Sequence, residues 1–202
     1  MVKPLINGFQ NFRDNYFSKE KSFFENLIKK GQKPKVMIIS CSDSRVDPAI
    51  LFNAKPGELF VVRNVANLVP PYEPDEGYHG VSAAIEYATK DLLVEHIVVL
   101  GHSECGGIKR LCEHKGIGPK RDFIDGWVSI AETAGATDLE GFEKFRHVER
   151  AAITVSLENL LTFPWLKQRV NKDNLELHGW FFDLEKGNLL TKTASGEWNV
   201  LA

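Results

Sequence analysis

His96-Ile-Val-Val-Leu-Gly-His102-Ser-Glu-Cys105 is an apolar run of strand length that ends on two donors of the kind metals prefer. Upstream, Val36-Met-Ile-Ile39 is a second such run, and it ends on Cys41-Ser-Asp43-Ser-Arg45. Strands buried on both faces read this way in parallel sheets covered by helices. Glu58-Leu-Phe-Val-Val62, entered through the turn signal Pro56-Gly57, is a third run. Leu175-Glu-Leu-His-Gly-Trp-Phe-Phe182 is a fourth, and Leu189-Leu-Thr-Lys-Thr193 can pair with it across a Gly187-Asn188 turn.

Helical segments separate these runs. Gly80-Val-Ser-Ala-Ala-Ile-Glu-Tyr-Ala88 reads as a close-packed helix, and residues 142–167 read as a long one broken near Pro164. Strand and helix alternate, which predicts an α/β fold. The expected sheet is four-stranded and mostly parallel, with a fifth C-terminal strand and flanking helices. Residues 5–30 show helical spacing through Phe9, Phe12, Tyr16, Phe23 and Phe24, with Gly31 as a stop. The expected organisation is one domain over 1–202, with a helical arm over 1–33 and the α/β core over 34–202. Aromatic residues in such an arm need burial, against their own domain or against a second subunit.

The chain has 202 residues, 43% hydrophobic and 26% charged, ordinary for a globular protein. A formal net charge of −2 gives no electrostatic reason to expect nucleic acid or an anionic membrane as partner. The apolar runs are far shorter than the ~20 residues that span a bilayer. Three cysteines, an odd number, argue against a disulfide framework, and the N-terminus lacks the apolar stretch of a secretory signal, so a cytoplasmic location is expected.

In a doubly wound sheet the first strand of each half lie side by side, and the crevice opens at their carboxyl ends. If the runs ending at Cys41 and His102 are those neighbours, Cys41, His102 and Cys105 converge. Taken singly, each piece is weak: a cysteine after a strand commonly serves as a small buried hydrophobe, and an isolated His-x-x-Cys occurs by accident. Asp43 can reach a metal's fourth position or accept a bidentate pair of hydrogen bonds from Arg45, or it can serve as the N-cap of a helix opened by Pro48. Cys112 reads as a thiol on the following helix, and His79, His96, His114, His147 and His178 have no partner suggested by spacing.

Cys41-Ser-Asp-Ser-Arg45, Pro56-Gly-Glu58, Val62-Arg-Asn-Val-Ala-Asn67 and Gly101-His-Ser-Glu-Cys-Gly-Gly107, in this order and spacing, resemble the β-class carbonic anhydrases. The resemblance implies zinc as cofactor, held by Cys41, His102 and Cys105, with Asp43 as alternative fourth ligand and Arg45 as its release partner. It implies reversible hydration of carbon dioxide to bicarbonate by a zinc-bound hydroxide. Two thiolates cancel the charge of the zinc and acidify its water less, so activity is expected to rise on the alkaline side of neutrality. Gln32, Phe60 and Tyr87 match the plant-type substrate pocket, formed partly by a neighbouring subunit, and a backbone N–H at Gly106 is expected to hold a bicarbonate oxygen. A homodimer or higher even homo-oligomer follows. Two positions depart from family patterns. Ile38 stands where members regulated by a second bicarbonate site carry tryptophan, so that inhibition is not expected despite Arg63. Asp91 stands where plant-type members carry a proposed proton-shuttle histidine. A carbon disulfide hydrolase on the same fold and a structural-zinc interaction module are the competing readings; the ending of a phosphate loop and the cysteine pair of zinc deaminases are both missing.

Overall fold

The structure, a computed structural model, describes residues 2–113 and 119–202. His114 lies outside the described residues. Two units are separable, Met1–Lys33 and Pro34–Ala202.

The first unit holds α1 (Lys3–Phe12), which continues through a π-helical turn over Arg13–Phe17, and α2 (Lys21–Lys30). Gly31, at φ 65, ends α2, a conformation that costs glycine least. Its aromatic residues pack on one another: Phe12 and Tyr16 both meet Phe24 edge-on, at 6.1 and 5.8 Å between ring centroids. None of the helical residues of this unit is buried within the chain, and Phe9 remains 62% exposed.

The second unit contains β1 (Val36–Cys41), α3 (Pro48–Leu51), β2 (Leu59–Asn64), α4 (Gly80–Glu86), β3 (His96–His102) and α5 (Gly106–Glu113). These are followed by α6 (Ile124–Val128), α7 (Gly141–Leu160), α8 (Pro164–Asn171), β4 (Glu176–Asp183), β5 (Asn188–Lys192) and β6 (Trp198–Val200). The sheet order is β2-β1-β3-β4-β5-β6, with β2, β1, β3 and β4 mutually parallel and β5 and β6 antiparallel. β1 and β3 are neighbours, paired from Val36↔His96 to Ser40↔Leu100, so their carboxyl ends open side by side.

Alternation splits the sheet between two faces. Met37, Ile39, Ile97, Val99 and Phe181 point into the larger core, covered by α4, α7 and α8. The buried residues of α7 recur as Val148, Ala152, Ser156 and Leu160, one helical stripe. Close approach of α7 requires Gly101: a Cβ there would lie 2.6 Å from Ile153 Cδ1. The other face carries Ile38, Val98 and Leu100 against Leu51, Phe52, Trp180 and Phe182.

Three expectations are corrected. The sheet has six strands instead of five: Trp198–Val200, only three residues long, shows no strand pattern in the sequence, and it pairs with β5 where Trp198 packs edge-on against Phe181 at 6.2 Å. The link from β4 to β5 is the loop 184–187 and not a Gly187-Asn188 turn, since Asn188 already pairs with Asp183. The N-cap of α3 is Asp47, whose Oδ1 accepts the Ala49 N–H at 3.0 Å; Asp43 does not serve there. The break at Pro164 holds, with α7 ending at Leu160 and α8 starting on the proline.

Arg169 closes the far end of the unit by donating to three carbonyls, of Thr89 (2.8 Å), Val94 (2.7 Å) and Asn174 (2.8 Å). Arg169→Ala leaves these acceptors without their charged donor. The expected loss is about 3 kcal/mol in urea unfolding; a change below about 0.5 kcal/mol would show that water replaces the guanidinium.

Candidate metal centre and its surroundings

β1 delivers Cys41 as its last residue and β3 delivers His102 as its last, one turn before Cys105. The tight turn between them is made by Glu104 at φ 60, which turns Cys105 back toward the strand end. Gly107 lets α5 start against the loop after β2, since a Cβ there would meet Val65 Cγ1 at 2.6 Å. Cys41, His102 and Cys105 are all buried, and their donor atoms lie within 4.8 Å of one another.

The two sulfurs stand 3.9 Å apart. Tetrahedral zinc with bonds of ~2.3 Å to sulfur places two sulfurs ~3.8 Å apart, so the spacing fits. His102 donates from Nδ1 to the Ser103 carbonyl at 2.8 Å, so the neutral ring carries its lone pair on Nε2. That Nε2 is buried and has no hydrogen-bond partner. An unpaired buried nitrogen beside two sulfurs is costly unless an acceptor of its lone pair is bound. The close contact between the two sulfurs pulls the Cys41 thiol down against its burial and pushes the Cys105 thiol up. The pair thus retains one proton that a metal would displace.

Asp43 lies outside this group of converging donors. Both its oxygens are taken by Arg45, from Nε at 2.9 Å and Nη2 at 2.7 Å, and Oδ1 also accepts the Arg45 N–H at 3.0 Å. The Arg45 guanidinium holds the Asp43 carboxyl well below the usual carboxylate range. Arg45 is itself anchored on the Glu104 carbonyl at 3.0 Å.

Several supports were not read as such in the sequence. Arg63 binds the whole loop after β1, donating to the Cys41 carbonyl (3.0 Å), the Asp43 carbonyl (2.7 Å) and Asp47 Oδ2 (2.8 Å). Ala66 N–H points at Cys41 Sγ from 3.4 Å, with Ala66 at φ 66. Glu149, 4% exposed on α7, accepts the Cys105 N–H at 3.1 Å and is paired with Arg146 at 3.1 Å. Burial pushes the Glu149 carboxyl up, while those two donors oppose the rise. Arg146 also reaches Glu104 and Glu185, each at 3.1 Å.

Gly106 is the exposed first residue of α5, next to Cys105. Phe60 and Tyr87 pair with each other at 6.0 Å between centroids. Phe60 stands opposite Met37, four positions before the Cys41 level, which is about 13 Å along the strand. Gln32 belongs to the first unit and is exposed.

The parallel sheet thus gathers two cysteines and a histidine at neighbouring strand ends, a group that could hold a metal ion. Residues 36–189 match the family described as carbonic anhydrase. A carbonic anhydrase of Synechocystis sp. (strain PCC 6803) is 38% identical over 195 residues, covering 94% of this chain and 70% of the relative. β-Carbonic anhydrase 3 of Arabidopsis thaliana is 39% identical over 194 residues, covering 92% and 74%. The solved structure of the β-carbonic anhydrase CcaA superposes with a TM-score of 0.91 at 34% identity, covering 100% of this chain and 92% of that one. Structures described as tetrameric β-carbonic anhydrases of Sordaria macrospora reach 0.81 at 27% identity, covering 94% and 95%. The chain belongs to the β-class carbonic anhydrases.

Proposed function

We propose that this carbonic anhydrase is a zinc enzyme in which Cys41, His102 and Cys105 hold the metal and Asp43 and Arg45 control access to it. The observation that carries the reading is His102 Nε2, buried, unpaired and facing two sulfurs 3.9 Å apart. When bound there, zinc supplies Lewis acidity that lowers the pKa of water toward neutrality.

The chain's own residues orient and restrain. Ser103 fixes the His102 tautomer, while the Ala66 N–H and Glu149 steady the two cysteines. Arg45 keeps both Asp43 oxygens off the metal set, which supports an open site. Release of that pair would free the carboxylate to close it. Gly106, with no Cβ at the start of α5, allows substrate oxygen to approach the backbone.

Gln32, Phe60 and Tyr87 are read as parts of a pocket completed by a second chain, so an even homo-oligomer with the dimer as smallest active unit is expected. The distance of Phe60 from its own Cys41 supports this, as does the tetrameric description of the Sordaria relatives. No helix of the described residues is long and apolar enough to cross a membrane. A cytoplasmic setting is consistent with two sulfurs 3.9 Å apart that must stay reduced to bind metal.

Zinc content and turnover of carbon dioxide and carbon disulfide, measured on wild type and Asp43→Ala, test the reading. Expected are hydration of carbon dioxide in clear preference to carbon disulfide, and a variant that keeps its zinc. Full zinc loading without hydration at any pH, with loss of zinc in Asp43→Ala, would mark a closed structural site. Preferred turnover of carbon disulfide would assign the other hydrolase.

A further inference from the structure

The amino end of the same sheet carries a second convergent donor set. His96 opens β3 opposite Glu176 on β4, and His178 stands opposite Val98, so the two imidazoles are diagonal neighbours on one face. His96 Nδ1 is 3.2 Å from His178 Nε2. Glu176 Oε2 lies 3.8 Å from each of these nitrogens.

We propose that His96, His178 and Glu176 form a second site for a divalent ion of the imidazole-binding kind, zinc or nickel, separate from the cysteine set. His96 and His102 stand at opposite ends of the seven-residue β3, six steps of ~3.3 Å, which puts the two sites about 20 Å apart. Two histidines and one carboxylate are a known ligand combination for zinc. With metal–nitrogen bonds of ~2.0–2.1 Å, tetrahedral geometry sets two nitrogens ~3.3 Å apart, against 3.2 Å found. The carboxylate edges are slightly long for this, and the Glu176 side chain, 68% exposed, is free to close them. Water reaches the cluster and can complete the coordination, since His96 and His178 keep 37% and 30% of their side-chain exposure.

A shared proton is the competing occupant, because one neutral imidazole can donate to the other. A bound ion would clamp β3 to β4 at the end of the sheet away from the cysteine set, and its affinity is moderate because the ligands are solvated.

Trp180 provides an optical reporter, with its ring 6.0 Å from that of His178. Tag-free protein already carrying one zinc per chain is titrated with Ni²⁺, following tryptophan quenching and heat. Saturable binding of one Ni²⁺ per chain is expected, weakened at least tenfold in His178→Gln and in His96→Gln, and less in Glu176→Gln. Trp180→Phe should lose most of the quenching but keep the heat. Carbon dioxide hydration should be unchanged in all of these variants, which separates this site from the catalytic one. Absence of saturable Ni²⁺ binding up to about 1 mM, or equal binding in the folded His96→Gln and Glu176→Gln variants, would overturn the proposal. These two positions lie at the solvent edge, so the test survives if His178→Gln does not fold.

Discussion

His102→Ala should lower carbon dioxide hydration by on the order of 10³-fold or more and take the zinc content from about one per chain to a small fraction of that. The expectation follows from geometry. Two sulfurs and one imidazole nitrogen are the only three donors that the buried set offers among the described residues. Removing the nitrogen leaves a two-sulfur site, in which Asp43 is already committed to Arg45. Loss of the ring also leaves the Ser103 carbonyl without its 2.8 Å donor, so stability should fall by about 1–3 kcal/mol in the same variant. Circular dichroism separates loss of metal from loss of fold. A folded variant that keeps more than about a tenth of the activity would remove His102 from the metal set.

Glu149→Leu should be the most damaging change at a residue that touches no substrate. The carboxylate is buried on α7 and links Cys105 to Arg146. Leucine leaves the Cys105 N–H and one guanidinium N–H without acceptors, at an expected cost of about 2–4 kcal/mol. Partners of a ligand matter for the metal as well as for the fold, so zinc retention against a chelator should drop about 10–100-fold. Glu149→Gln keeps a carbonyl oxygen for the Cys105 N–H and should restore most of the zinc retention. Equal losses in both variants would mean that charge, and not the hydrogen bond to the ligand residue, is what matters.

Much of this architecture is legible in the residues because a central parallel strand has to be apolar on both faces. Val36-Met-Ile-Ile39 and His96-Ile-Val-Val-Leu100 announce themselves in this way, and their adjacency places Cys41 beside His102. Resemblance added what the pattern lacked, a reason to treat three scattered donors as one set. Other features are hidden for physical reasons. β6 is three residues long and is held by the packing of Trp198, which no local pattern encodes. Glu149 sits in Glu-Lys-Phe-Arg-His-Val-Glu149-Arg, a stretch that looks solvated until α7 is laid on the sheet. Arg63 stands near the end of a strand, and only the fold brings the carbonyls of Cys41 and Asp43 within its reach. His96 and His178, 82 positions apart, are joined purely by the register of β3 against β4. Asp43 looked like a helix cap because Pro48 follows closely, but Asp47 is the residue placed to cap.

In the proposed function, Cys41, His102 and Cys105 form one catalytic zinc site. Its most direct test is the metal content and carbon dioxide hydration rate of one preparation of purified chain, before and after chelation and after return of zinc. One zinc per chain is predicted, with activity lost on chelation and regained in proportion to the zinc restored. Full hydration activity in metal-free protein, or a zinc-saturated protein with none, would contradict it.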